Sequence, residues 1–116
     1  MKLYITTWIE PRSGHELIIP PIVDYEVKRG FIAKRMGRKM SEYIDFCQSV
    51  SVGVFDEAVW QKAAYVFAVL YQRGIVVDDA DVLIAAYCLV NEYTLVTNNK
   101  RHFENIDGLK YVDWKE

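Results

Sequence analysis

Asp79-Ala-Asp81-Val-Leu-Ile84-Ala-Ala86, followed by Thr94-Leu-Val-Thr97-Asn98-Asn99-Lys-Arg-His102-Phe103 and then by Ile106-Asp-Gly108-Leu-Lys-Tyr-Val-Asp-Trp114, is the stretch that decides the fold. Asp78 or Asp79 predicts the N-cap of a helix running to about Asn91. Val82, Ala85, Ala86, Leu89 and Val90 recur at helical spacing and pin that helix to a neighbour, with the two alanines permitting close approach. Ile75-Val-Val77 before it reads as a buried strand, Thr94–Thr97 after it as the next, and Lys110–Trp114 as the last.

The same alternation continues towards the N-terminus. Asp56 predicts the N-cap of a long helix that ends at Gly74. Val59, Ala63, Val66 and Leu70 form one apolar stripe on it, and Trp60, Ala64, Phe67 and Tyr71 an adjacent one, wide enough to serve both a sheet and a partner subunit. Val50–Phe55 reads as a strand. Before it, Lys39–Gln48 reads as a helix presenting Met40, Tyr43, Ile44 and Cys47. Pro20-Pro21 stops the short run Leu17-Ile18-Ile19 and starts a helix to about Met36, since proline at a first helical position forfeits no helical hydrogen bond. Strands alternating with helices predict an α/β domain, a mostly parallel sheet covered on both faces. In such sheets ligands bind beyond the carboxyl ends of the strands.

The totals set bounds. At 116 residues, 52% of them hydrophobic and 26% charged, the chain makes one globular domain over 1–116. A net charge of -2 removes any chain-wide basic coat, so contact with nucleic acid must come from a local patch. Cys47 and Cys88 lie far apart without Cys or His partners at ligand spacing, which reads as reduced, buried thiols in a cytoplasmic protein and not as a zinc site. The longest apolar run, Ala63–Tyr71, is far short of the roughly 20 residues a spanning helix needs. Thr6, Thr7 and Glu10 interrupt any signal-peptide core, so no membrane partner or export is expected.

The acids carry the chemistry. Asp78, Asp79 and Asp81 put more negative charge at one helix start than a cap requires, and a hard divalent ion with oxygen ligands gives that crowding a reason. Glu26 lies about one turn into its helix on the face of Ile22 and Tyr25, so it is aimed at least partly inward, which is costly without a cation. Both observations also have a plainer account in helix capping and the helix dipole. Asp24 faces elsewhere and reads as solvated.

The chain resembles a PIN domain, the fold of the VapC-like toxin ribonucleases. Ile19-Pro-Pro-Ile-Val-Asp24-Tyr-Glu26 is similar to the family's strand and helix that carry its second acid, and Asp81-Val-Leu-Ile84-Ala-Ala86 to its D-x-x-I-A-A pattern. The resemblance implies a three-layer α/β/α fold and hydrolysis of RNA phosphodiester bonds with magnesium or manganese. It makes Glu26 and Asp81 metal ligands and catalytic groups, with Asp79 an auxiliary acid. In the family's T-x-N/D-x-x-D/H-F segment this chain has Thr97, Asn99 and His102: Asn99 is a supporting catalytic group, Thr97 steadies carboxylates and His102 approaches a phosphate. Lys28 and Arg29, in the basic run that continues through Lys34, Arg35, Arg38 and Lys39, meet phosphates or an acidic antitoxin segment, or form only a solvated face. A cognate antitoxin and a homodimer are the implied partners.

The resemblance covers about 16–114 and breaks at the start. The family begins with a central strand ending in aspartate, whereas here no aspartate precedes Asp24. Lys2–Thr7 resembles that start only superficially, a likeness that would put Thr6 where the aspartate belongs. The chain therefore looks like a PIN domain that is N-terminally truncated, lacking its first strand, first acid and first helix, through a shortened reading or a deletion, or with its fold completed by residues 2–8 or by another chain. Between Thr7 and Leu17 there is room for a hairpin at most, because a parallel crossover needs a dozen residues or more. The first residues are either that hairpin or the end of a helix. Loss of the first acid sets an impaired nuclease against an inactive remnant that only binds antitoxin or RNA. A nucleotide-binding module is disfavoured, since no strand-to-helix turn carries a glycine-rich phosphate loop.

Overall fold

Ile9, with no exposed surface, sits between Ile18 on one neighbouring strand and Leu95 on the other. That register organises the sheet. The computed structural model describes residues 7–10 and 17–113, so Thr6, the Pro11–Gly14 turn and Trp114 lie outside the described residues. Strands β1 (Thr7–Glu10), β2 (Ile18–Ile19), β3 (Ser51–Val52), β4 (Thr94–Thr97) and β5 (Tyr111–Asp113) are ordered β3-β2-β1-β4-β5. Pairs β2/β3 and β4/β5 are parallel, and β1 runs antiparallel to both β2 and β4. Four strands thus share one direction, as expected of a mostly parallel sheet, and the central one opposes them. Of the two fates open to the first residues, Thr7–Glu10 takes the extended one, pairing antiparallel with β2 through Ile9 and Ile18.

Helices α1 (Pro21–Ala33), α2 (Gly37–Cys47), α3 (Glu57–Gln72) and α4 (Asp79–Asn91) complete a three-layer α/β/α fold. Pro21 opens α1, and the Pro20 carbonyl accepts from the backbone N–H of Val23 and Asp24. The inward line of α1 runs through Val23, Val27 and Phe31 at four-residue spacing. Tyr25, on the face expected to point in, is 55% exposed. Asp24 is not solvated as expected. Its side chain is mostly buried, accepts from the Tyr43 hydroxyl at 2.8 Å and pairs with Lys28 at 3.0 Å, so it ties α1 to the fully buried Tyr43 of α2.

Asp56 caps α3 by accepting from the Val59 N–H at 3.1 Å. Val59, Ala63, Val66 and Leu70 are buried as the first stripe predicts, while Trp60, Phe67 and Tyr71 of the second stand exposed. Helix α4 buries Val82, Ile84, Ala85, Ala86, Tyr87 and Cys88, whereas Val90 faces outward. Beyond β4, a 3-10 turn at Lys100–His102 leads into the buried Phe103 and Ile106.

Two expected strands differ. Ile75–Val77 forms none: the chain leaves α3 through Gly74 at φ +73, and the Ile75 N–H bonds back to the Leu70 carbonyl, so this donor closes the helix end and joins no ladder. Val76 is consequently 96% exposed. The strand over Val50–Phe55 shrinks to Ser51–Val52, with Val54 turned outward. Both cysteines are free; Cys88 is buried, its thiol pushed up to about 12 by burial, and Cys47 only half-buried. Among the described residues no helix is long and apolar enough to cross a membrane.

Candidate active site

A cleft of about 410 Å³ opens at the edge where β4 ends and α4 begins, and Thr7, Glu26, Asp78, Asp81, Asn99 and His102 supply its polar wall. Each arrives for a local reason. Because β1 opposes its neighbours, its first residue reaches the carboxyl edge of the sheet, and in register Thr7 stands opposite Thr97. Their hydroxyl oxygens are 3.1 Å apart. The Thr97 hydroxyl oxygen, wholly buried, also accepts from the Asn99 N–H at 3.1 Å and so shapes the turn that carries Asn99. Thr97 therefore steadies the threonine and the asparagine; no bond from it to a carboxylate is seen among the described residues.

Asp81 occupies the first turn of α4 with 17% of its side chain exposed, and His102 Nδ1 lies 3.1 Å from its Oδ2. Burial raises the Asp81 pKa above the ordinary carboxylate value, the His102 contact opposes this, and the negative charges of Asp78 and Glu26 raise it further. Those last two contributions reveal three acids within electrostatic reach at one cleft. Glu26, distant in sequence, does come to the same hollow as Asp81, although it is 43% exposed and has Arg29 3.7 Å away.

Asp79 does not line the cleft; it is exposed, and Asp78 takes its place. Residues three apart share a helix face and residues two apart do not, so the spacing of Asp78 and Asp81 was the signal for the former. Thr7 had no such signal, since its position depends on the direction of β1. Lys28 is engaged with Asp24, and Arg29 lies near Glu26 and over the Tyr25 ring at 5.1 Å; neither lines the cleft.

Among the described residues no three or more His, Cys, Asp and Glu side chains are grouped closely enough to hold a metal on their own. Magnesium asks for less, because it keeps several waters and takes one or two carboxylates. Glu26 and Asp81, hard oxygen donors with Asp78 beside them, fit a hydrated ion of that kind.

The chain is 34% identical over 107 residues to ribonuclease VapC1 of Methanocaldococcus jannaschii, an alignment covering 90% of this chain and 75% of that relative. This chain belongs to the VapC ribonuclease family. A second VapC relative, the tRNA(fMet)-specific endonuclease VapC of Shigella flexneri, is 30% identical over 77 residues, covering 66% of this chain and 58% of its own. No family model matches. Among solved structures, the VapBC2 complex of Rickettsia felis bound to a promoter DNA fragment superposes with a TM-score of 0.78 at 26% identity, covering 84% of this chain and 74% of that one. DNA-bound VapBC of Salmonella typhimurium gives the same values. The PIN-domain resemblance read from Glu26 and the Asp81 segment is thus the correct family, and the VapC fold is retained around an opposed central strand.

Proposed function

We propose that this VapC-family chain is a magnesium-dependent endoribonuclease of the toxin–antitoxin type that hydrolyses RNA phosphodiester bonds. The observation that carries the proposal is the convergence of Glu26 and Asp81, 55 positions apart in the chain, on one cleft. Magnesium or manganese, when bound, supplies an acidified water and offsets charge at the phosphate. The chain's own groups do the rest. Glu26 and Asp81 hold the ion, Asp78 adds negative potential, Asn99 is presented by Thr97, and His102 holds Asp81 in orientation. Turnover is impaired, because Thr7, the residue that the central strand brings to the cleft, offers a hydroxyl and no carboxylate.

A cognate antitoxin is the expected protein partner, in keeping with the VapBC complexes this chain resembles. The cytoplasm, where RNA is found, is the expected location. A homodimer through the exposed Trp60, Phe67 and Tyr71 face of α3 is part of the same reading.

A second reading is favoured by the hydroxyl at Thr7 and the absence of a three-ligand group among the described residues: an inactive member that binds antitoxin or RNA without cutting. One titration separates the two. Cleavage of single-stranded RNA is expected to rise with magnesium, to stop with EDTA, and to fall at least about tenfold in Glu26→Gln. RNA that stays intact at every magnesium concentration would overturn the ribonuclease reading and leave the binding-only one.

A further inference from the structure

The acids stand at a junction and not at a dead end. Asp78, Asp81 and His102 form a wall shared with a second hollow of about 200 Å³, which is lined beyond them by Val76, Arg101 and Asn105. Asn105 in turn belongs to a third hollow of about 290 Å³ that holds Lys62, Tyr65 and Arg73. Three adjoining depressions therefore run from Glu26 past the acids to the outer surface of α3.

We propose that single-stranded RNA lies along this track, with the second and third hollows taking the nucleotides on one side of the phosphate at Asp81. The proposal rests on the ribonuclease reading of the cleft. A phosphodiester has a nucleotide on each side, so an internal cut requires room in both directions, and the second and third hollows provide the room opposite Glu26. Charge points the same way. Lys28 and Arg29, beside the first hollow, are engaged with Asp24 and Glu26. Arg101 forms no ion pair among the described residues and is exposed in the second hollow, free to meet a phosphate that the three acids repel. Further along, Tyr65 is 64% exposed with Lys62 Nζ 5.4 Å from its ring centre. Arg73, in the same hollow, is paired with Asp107 at 2.9 Å, so Lys62 is the cation beside the ring. An exposed aromatic ring with a cation against it is the pairing that single-strand binders use, the ring stacking a base and the cation following the backbone.

The test is binding of fluorescently labelled oligouridine to the full chain in EDTA, where no cleavage intervenes. Two lengths are compared, about 2 and about 12 nucleotides, the shorter having fewer nucleotides than there are hollows along the track. Tyr65→Ala is expected to weaken the longer strand about tenfold and leave the shorter unchanged. Arg101→Gln is expected to weaken both and to reduce the slope of log affinity against log salt by about 0.7, one phosphate's share. Both side chains are exposed, so folding is not at stake. Wild-type affinity for the longer strand in both variants overturns the track. If wild-type protein cleaves RNA while both variants bind normally, the track alone is wrong; if wild-type protein binds neither strand, the ribonuclease reading falls with it. A Tyr65→Ala change in oligomeric state with unaltered RNA binding also overturns the proposal and assigns this face to a protein contact.

Discussion

Asp81→Asn is expected to lower magnesium-dependent RNA cleavage by about a hundredfold or more while leaving the fold as stable as before or more so. The loss follows from removing one of two carboxylates that hold the ion, for which even the loss of a supporting group costs ~10–100-fold. The gain in stability follows from the raised pKa of Asp81. Burial is the largest cause, and the charges of Asp78 and Glu26 add to it against the opposing pull of His102. A carboxyl group whose pKa is higher folded than unfolded favours the fold at low pH, and that contribution is lost as the pH rises through the carboxylate range. At neutral pH the ionised side chain is thus held in a cleft that disfavours its charge. Asparagine removes the charge at similar volume, so thermal unfolding at neutral pH is expected to shift upward by a few degrees or stay level. The advantage should shrink as the pH falls through the carboxylate range, where the wild-type carboxyl also becomes neutral. Loss of activity together with a lower unfolding temperature would instead make Asp81 an anchor held by His102, and the active-site argument would lose its clearest signature.

Ile9→Ala is expected to destabilise the protein by about 3 kcal/mol, within the usual 2–5 kcal/mol for truncating a fully buried isoleucine. Ile9 has no exposed surface, and its strand is hydrogen-bonded on both sides, so the cavity would open at the middle of the sheet where neighbours have least freedom to close it. Val112→Ala on the edge strand β5, at a side chain 50% exposed, is the control and is expected to cost under about 0.5 kcal/mol. Urea denaturation measures both. Equal costs would mean that Thr7–Glu10 does not fill the centre of the sheet, and with it would go the account of how Thr7 reaches the cleft.

What the sequence disclosed and what it hid divide along physical lines. The helices were legible because their apolar residues repeat at helical spacing and their ends carry Pro21, Asp56 and Gly74. The α3 stripe through Val59 and Leu70 is buried as its spacing requires. Glu26 and Asp81 were legible as acids that a metal would explain, and they do share a hollow. Strands were read less well. A run such as Ile75-Val-Val77 looks like a buried strand by composition, but closure of the α3 end on Leu70 leaves it as a connector. The direction of β1 depends on tertiary pairing, so nothing in residues 7–10 announces that Thr7 faces the acids. Asp24 read as solvated because its partner Tyr43 lies on another helix, 19 residues away. Asp79 was preferred to Asp78 by resemblance, although helix geometry groups Asp78 with Asp81.

The most direct test of the central claim is manganese binding, followed by electron paramagnetic resonance of the free ion, to wild-type protein, Glu26→Gln, Asp81→Asn and the double variant. The account predicts one bound ion per chain, at least about tenfold weaker binding in each single variant, and a double variant with less than the summed loss, as expected for two residues gripping a common ion. No bound manganese in the wild-type protein, or single variants that bind it unchanged, would contradict it.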